Sequence, residues 1–261
     1  MRRLGLLAVL LLVAAGCGGG NESASRDDIA GAATKTARAG SLEADFDLSG
    51  QGLNGSGSGV FNTGKSRSGQ LTMKINANGR QVPVDTIITG DVFYMRSPVF
   101  AQVLSQDKQW IRLDLVALAQ QRGVDLSSLL DASPTPANAL AYLEGARDVE
   151  KVGTNTIGGE KTTHYKVTVD LEKAAARAKG SEKQSLRRVI SQSKLKTLPL
   201  DVWIDGKNYI RRVTYEEHAG RQQAAHVTMQ LHDFGAPVSI KPPPEESVID
   251  LQQALQQGSS G

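Results

Sequence analysis

The chain has 261 residues, with 30 Lys and Arg against 27 Asp and Glu, and its formal net charge is +3. Nucleic-acid binding needs a concentrated basic surface that displaces counterions from phosphates. The longest basic stretch, 179–196, is interrupted by Glu182 and is interpreted as a solvated helix surface. Nucleic acid is therefore not an expected partner. The one cysteine has no disulfide partner within the chain and no neighbouring thiolate or imidazole, so we predict no metal site and no bound cofactor.

The first 16 residues have the features of an export signal. A positive start at residues 1–3 precedes an apolar run from Leu4 to Val13 and small residues at 14–16. The run is shorter than the roughly 20 residues that a membrane-spanning helix needs, so we expect cleavage rather than a membrane span. Cleavage after residue 16 removes two arginines and no acid, which leaves 28 basic against 27 acidic residues and a net charge of +1.

Cys17 follows these small residues directly, as in a bacterial lipobox, although Ala14 stands where a leucine is common. The resemblance implies that the sulfur receives a diacylglyceryl group, and two acyl chains hold a protein stably at a membrane. An ordinary secretory signal with a chance cysteine is the alternative. We expect an exported lipoprotein anchored to the outer face of the cell membrane through Cys17. Residues 17–28 would form a flexible tether with a mean reach of about 18 Å.

Beyond the tether, most of the chain alternates apolar and polar residues with a period of two, which is typical of strands with one buried face. Every second residue from Leu42 to Leu48 is apolar, for example. Turn-forming pairs such as Gly158-Gly159 separate neighbouring runs and indicate antiparallel connections. The glycine-rich residues 50–59 lack the following helix of a phosphate-binding loop and are interpreted as a flexible hairpin.

Helical patterns interrupt the strands at 114–132, 136–146 and 170–193. A helix with one apolar stripe must dock on another apolar surface, and an antiparallel sheet offers one such face while exposing the other to water. The sequence therefore predicts an α+β domain over 29–240, in which a large bent antiparallel sheet, or half-barrel, has helices covering its concave apolar face. Residues 241–261 are predicted to form a Pro-rich C-terminal tail with room for a short helix.

Two stretches resemble a known family. They are the run DVEKVGTNTIGGEKTTHYKVTVDLEKA at 148–174 and the strand pair LPLDVWIDGKNYIRRVTYEE at 198–217. Together with the lipobox, these stretches are similar to the actinobacterial LppX/LprG lipoproteins, which are related in fold to the lipoprotein carrier LolA. The resemblance implies a hydrophobic cavity, enclosed between sheet and helices, that accepts acyl chains. From the residues alone, a tightly packed core is an equally good reading. The candidate cavity-wall residues are Phe46, Met73, Val167, Val169 and Met229.

No residue pattern indicates catalysis, so we expect the protein not to be an enzyme. His164, His226 and His232 fall on polar strand faces, and the chain has no G-x-S-x-G motif. His226 and His232 lie about 20 Å apart along one strand, which excludes shared ligation of one metal ion within it. Trp203 falls on the polar face of its strand. There it either contacts a partner or, as we favour, is buried by sheet twist or by a covering loop.

Two functions from different classes fit these features. The first is a carrier that binds acyl chains of lipids or glycolipids and transfers them within the cell envelope, as a monomer working with an envelope transporter or assembly partner. Its gate is predicted in segment 114–146, with hinges at Gly123, Pro134, Pro136 and Gly145. The second is a non-catalytic envelope sensor or protein-interaction module of the same fold.

Overall fold

The computed structural model describes residues 24–50, 54–64, 68–77, 79–102, 104, 108–114, 135–218 and 224–251. The export signal, Cys17 and tether residues 17–23 lie outside the described residues, so the predictions made for them stay predictions. The same holds for the helical insertion at 115–132 and for the predicted hinges Gly123 and Pro134.

One sheet of twelve strands forms the framework of the fold. The strands are β1 (Ser41–Gly50), β2 (Asn54–Asn62), β3 (Ser68–Ala77), β4 (Arg80–Thr89), β5 (Val92–Arg96), β6 (Trp110–Asp114), β7 (Ala146–Ile157), β8 (Glu160–Asp170), β9 (Thr197–Asp205), β10 (Ile210–His218), β11 (Ala224–His232) and β12 (Val248–Asp250). Their order is β12-β6-β5-β4-β3-β2-β1-β11-β10-β9-β8-β7. Among the strands in the described ranges, only the short β12 pairs in parallel, with β6. The sheet is open, and the predicted fold class is confirmed.

The N-terminal and C-terminal halves of the sheet meet at one seam, the pairing of β1 with β11. The strands β2 to β6 continue from β1 on one side, and β10 to β7 continue from β11 on the other. Phe46 and Met229 lie directly opposite each other across this seam, and both are buried. The seam therefore belongs to the centre of the core.

Four α-helices occur in the described part of the chain: α1 (Arg26–Ala37), α2 (Pro136–Leu143), α3 (Leu171–Arg177) and α4 (Gly180–Ser193). Short 3-10 turns form at Pro98–Gln102 and Glu245–Ser247. None of the helices within these described ranges combines the length and apolarity that crossing a bilayer requires. The helices pack on the apolar face of the sheet, where their buried side chains join those of the strands in one core.

Helix α1 begins inside the segment that the sequence analysis assigned to the tether. The Ser25 hydroxyl accepts from the Asp28 backbone N–H, and the Asp28 carboxylate accepts from the Ser25 N–H at 2.7 Å, which completes a capping box. The buried Thr36 donates to the Ala32 carbonyl at 2.8 Å and accepts from the Ile210 N–H at 3.0 Å. These bonds connect α1 to β10, so the folded domain begins before residue 29, the predicted start.

Within the glycine-rich segment 50–59, Gly50 ends β1 and residues 54–59 form most of strand β2, which pairs with β1, so the described part is regular sheet rather than a flexible hairpin. Gly57 pairs with Phe46 on one side and Met73 on the other. A Cβ at Gly57 would lie 2.2 Å from the Thr72 carbonyl oxygen and 2.5 Å from the Met73 sulfur. Glycine is required here because neighbouring chain approaches too closely for a side chain, not because the segment is flexible.

Strand β12 carries the domain past the predicted boundary at residue 240. Ile249 is buried with Ile111 of β6 in a small second apolar cluster. Arg112 donates to Asp250 Oδ1 at 2.9 Å and to Asp114 Oδ2 at 2.8 Å, and the bond to Asp250 raises the pKa of Arg112 above its ordinary value. Residues 248–250 of the predicted tail are therefore a sheet strand, while residues 252–261 lie outside the described residues.

Candidate functional site

A pocket of about 350 Å³ lies where α1 and α2 meet the neighbouring ends of β2, β3, β4 and β5. It is partly open to solvent, and its lining mixes apolar and polar side chains. Short connections place these strand ends together, since β4 and β5 are joined by a turn in which Gly90 has φ +61°. The lining includes Ala33, Phe61, Ile88, Phe93, Leu140 and Ala141.

The apolar wall of the pocket is continuous with the core. Ala33 of α1, Phe61 of β2 and Leu140 of α2 are almost fully buried. The ring of Phe61 meets Phe46 edge to face, with centroids 5.9 Å apart. A Cβ at Gly69 would lie 2.8 Å from Phe61 Cδ1, so a glycine on β3 is needed for Phe61 to keep this position. Packing thereby holds Phe61 in place in the wall.

One polar group in the pocket lining is buried without a partner. The Thr63 Oγ1 is buried and makes no hydrogen bond to any described residue, although the Thr63 backbone N–H donates to the Gly40 carbonyl at 3.0 Å. Buried hydroxyls in folded proteins are nearly always paired, so an orphan beside a pocket marks a position where a ligand's polar group would gain a hydrogen bond once the atoms covering it shift. Asn62, Ser68 and Asn138 add further polar atoms to the same lining.

Helix α2 forms one side of the pocket, and its ends are held by different contacts. The Thr135 hydroxyl accepts from the Asn138 N–H and caps the helix, with Pro136 in the first turn. At the other end, a Cβ on Gly145 would lie 2.4 Å from the Asp170 carbonyl oxygen. Gly145 is therefore needed for close packing against the end of β8. Its predicted role as a hinge, like that of Pro136, stays a prediction.

The five predicted wall residues are all buried in the main core, on the apolar faces of their strands. None of them lines the described pocket. Val167 and Val169 lie on β8, and Phe46 and Met229 face each other across the β1–β11 seam. Their assignment to a lipid-binding wall stays a prediction. Sequence reasoning missed the pocket residues, and the one local signal was the Thr135-Pro136 helix start.

Trp203 stays on the polar face of the sheet, half-buried by side chains of adjacent strands rather than by a loop or by twist. Its ring stacks on His164 with centroids 4.2 Å apart and planes 8° from parallel. The indole Nε1 donates to Asn155 Oδ1 at 3.1 Å, and the Arg212 guanidinium lies 5.6 Å from the ring. His164 Nε2 is 2.6 Å from Asp201 Oδ1. These contacts make a cross-strand ladder on the outer face.

Comparison with known proteins identifies relatives of the chain and of its fold. No protein-family model matches. An uncharacterised 31.2 kDa protein from the rplA–rplJ intergenic region of Streptomyces griseus is 25% identical over 158 residues, which cover 59% of this chain and 52% of that protein. SCO4650 of Streptomyces coelicolor, provisionally named a lipoprotein, is 26% identical over 176 residues, 65% of this chain and 52% of that protein. The chain spans about half the length of these curated relatives.

Among solved structures, LprF from Mycobacterium bovis matches with a TM-score of 0.52 and 14% identity, covering 84% of this chain and 96% of LprF. The chain therefore has the fold of LprF. The resemblance to LppX/LprG lipoproteins seen at 148–174 and 198–217 is thus confirmed at the level of the fold. In this fold the pocket beside α1 and α2 lies at the same apolar face of the sheet as the core.

Proposed function

We propose that the protein is an exported lipoprotein, anchored through Cys17 to the outer face of the cell membrane, that binds acyl chains of lipids or glycolipids and transfers them within the envelope. The observation that carries this proposal is the pocket beside α1 and α2, where an apolar wall adjoins the unpaired hydroxyl of Thr63. The fold shared with LprF and the provisional lipoprotein name of the Streptomyces coelicolor relative support it.

Burial of methylene groups would supply the binding free energy. Each methylene moved from water into an apolar wall contributes about 0.8 kcal/mol, so about eight of them contribute roughly 6 kcal/mol. The pocket volume of about 350 Å³ is near the lower end of the range for ligand sites. We therefore propose that one chain enters the pocket as it stands, and that α2 shifts to admit a lipid with two or three chains.

The polar lining would hold the ligand without a chemical step. Thr63 and Ser68 offer hydroxyl groups, and Asn62 and Asn138 offer amides, to the polar end of a lipid. His164 and His232 lie on the opposite, outer face of the sheet, where each contacts a carboxylate. We propose a non-catalytic role because no described histidine is available to the pocket as a base.

The modest pocket volume also favours a second candidate, a sensor or protein-interaction module. A space of about 350 Å³ accommodates one or two apolar side chains of a protein segment as well as it does part of an acyl chain. Such a module would read out a partner or a bound lipid without transferring it. The two candidates differ in what co-purifies with the protein.

Native mass spectrometry of a full chain carrying Cys17→Ser, purified from cells without detergent, separates the candidates. We expect a bound lipid. Ala137→Trp, placed on half-buried pocket lining in α2, should reduce lipid occupancy about tenfold, the factor produced by 1.4 kcal/mol of lost contact. Val152→Trp on exposed β7 is the matched control and should keep full occupancy.

The outcomes assign the function directly. A bound peptide in place of lipid would favour the interaction module, and the absence of lipid together with no extraction from vesicles would refute the carrier. If Ala137→Trp stays folded by circular dichroism and keeps the occupancy of Val152→Trp, the lipid does not bind in this pocket.

A further inference from the structure

A cluster of one histidine and three carboxylates lies on the outer face of the sheet, at the β1–β11 seam. Glu43 and His232 are directly opposite each other in the register. Asp45 is two residues further along the same face of β1, and Asp233 follows β11 with φ 49°, a left-handed conformation. The cluster is separate from the pocket, because it lies on the other side of the sheet from the helices.

Both ring nitrogens of His232 face carboxylate oxygens. Nδ1 lies 2.7 Å from Asp233 Oδ2, and Nε2 lies 3.3 Å from Asp45 Oδ2. A neutral imidazole has one N–H and can donate to only one of these acceptors, so the second nitrogen and its carboxylate are both satisfied only when a proton or a metal ion lies between them.

The oxygen and nitrogen atoms are close enough to share one ion. One ligand atom each from Glu43, His232 and Asp233 lie within 4.8 Å of one another. Ligand atoms about 2.0–2.2 Å from a common metal ion are at most about 4.4 Å apart, so a small adjustment brings the three into coordination. Within the described residues, no lysine or arginine forms an ion pair with Glu43, Asp45 or Asp233, so their charges are not otherwise neutralised.

The space beside the cluster is suited to a partly hydrated ion. A depression of about 240 Å³ is bounded by Glu43, Asp45 and His232 on one side and by Ser58, Gln70 and Thr72 on the other. The short side chain of Ser58, which is paired with Asp45 on the outer face, leaves room for it. Water ligands of an ion could hydrogen-bond to these hydroxyl and amide groups.

We propose that His232, Glu43 and Asp233, with Asp45 beside them, form a binding site for a divalent transition-metal ion of the zinc class. A mixed set of one imidazole and carboxylates favours such an ion over Ca²⁺ or Mg²⁺, which prefer oxygen ligands alone. With Asp233 as a ligand, the ion would bind Nδ1, the nitrogen that faces Asp233, and Asp45 on Nε2 would fix the ring, the usual support of a metal-bound histidine.

An ion at this position would join the two halves of the sheet. Glu43 and Asp45 belong to β1, whereas His232 and Asp233 belong to β11 and the residue after it. Because an ion that binds only the folded state stabilises it by mass action, zinc should raise the thermal midpoint of unfolding. The sequence analysis predicted no metal site because it considered only histidines within one strand, whereas the proposed ligands lie on two neighbouring strands.

Isothermal titration of the full chain with zinc chloride tests the proposal, in a Cys17→Ser background so that the thiol cannot bind the metal. We expect one saturable site and a rise in the thermal midpoint. His232→Gln and Glu43→Gln should each weaken zinc binding at least about tenfold, the effect of losing 1.4 kcal/mol. His226→Gln, on the same strand and exposed on the same face, is the matched control and should bind like the parent.

Three results would overturn the site. They are no saturable binding up to about 1 mM zinc, equal affinity in the His232→Gln and His226→Gln proteins, and calcium binding as tight as zinc binding. A shift of the His232 ring nitrogens in NMR spectra on adding zinc, absent from the calcium sample, would support direct coordination. Because lipid occupancy is measured separately, failure here leaves the carrier proposal untouched.

Discussion

Replacing Thr63 with valine tests whether the buried hydroxyl in the pocket serves the ligand or the fold. The substitution keeps the branched shape of the side chain and removes only Oγ1, which has no partner among the described residues. Thr162→Val is the matched control, because its side chain is also buried but its Oγ1 donates to the Asn155 carbonyl at 3.0 Å.

The two substitutions should change stability in opposite directions. Removing an unpaired buried hydroxyl relieves a desolvation penalty, so Thr63→Val should leave the free energy of unfolding unchanged or raise it by about 1 kcal/mol. Thr162→Val removes the hydrogen bond to the Asn155 carbonyl and should lower the free energy of unfolding by about 1 kcal/mol. A lipid whose polar end bonds to Thr63 should bind Thr63→Val roughly two- to tenfold more weakly, the equivalent of one hydrogen bond.

Urea unfolding followed by circular dichroism gives the two stabilities, and transfer of a fluorescent lipid from vesicles gives the relative affinities. The reasoning fails if Thr63→Val destabilises the protein as much as Thr162→Val does, since the hydroxyl would then have a structural partner. It also fails if Thr63→Val is stable and binds a hydroxyl-bearing lipid as tightly as the parent, since the orphan group would then have no role in binding.

Three further substitutions test the close packing, the predicted wall and the anchor. Gly57→Ala should lower the free energy of unfolding by about 1–3 kcal/mol, because its Cβ would overlap the Thr72 carbonyl. Gly153→Ala, with open space around it, should change the free energy of unfolding by no more than about 0.5 kcal/mol in the same urea titration. Val167→Trp should lower the thermal midpoint, because Val167 is 2% exposed and tightly enclosed. A stable variant with reduced lipid uptake would support the predicted place of Val167 in the cavity wall. Cys17→Ser should move the protein out of the membrane fraction, and unchanged membrane retention with globomycin-insensitive processing would contradict the lipid anchor.

The alternating pattern was enough to predict most strands and the face that each one buries. Side-chain direction has a period of two in a strand, so Leu42, Ala44 and Phe46 had to share one face wherever the strand was placed. Turns were equally readable, since Gly158 and Gly159 both adopt positive φ between β7 and β8. The start of α1 carried the Ser25–Asp28 capping-box pattern, but this was overlooked because the segment was assigned to the tether.

The position of the pocket was decided by tertiary structure. Phe46 and Phe61 are both apolar strand residues, and nothing local distinguishes the one at the core centre from the one at a pocket wall. The difference depends on where α1 and α2 dock and on which strand ends lie beneath them. The orphan state of Thr63 is also a long-range property, because it depends on which side chains fail to reach it.

The sequence by itself determined the strands, their buried faces, most turns and the candidate anchor, because these depend on residues close together along the chain. Only the tertiary structure decided which residues lie beside Gly57, Thr63 and His232. Each has a neighbour on another strand or helix: Met73 beside Gly57, α2 beside Thr63, and Glu43 beside His232. Strand order and register bring these residues together, and register is set by the whole sheet rather than by any one segment.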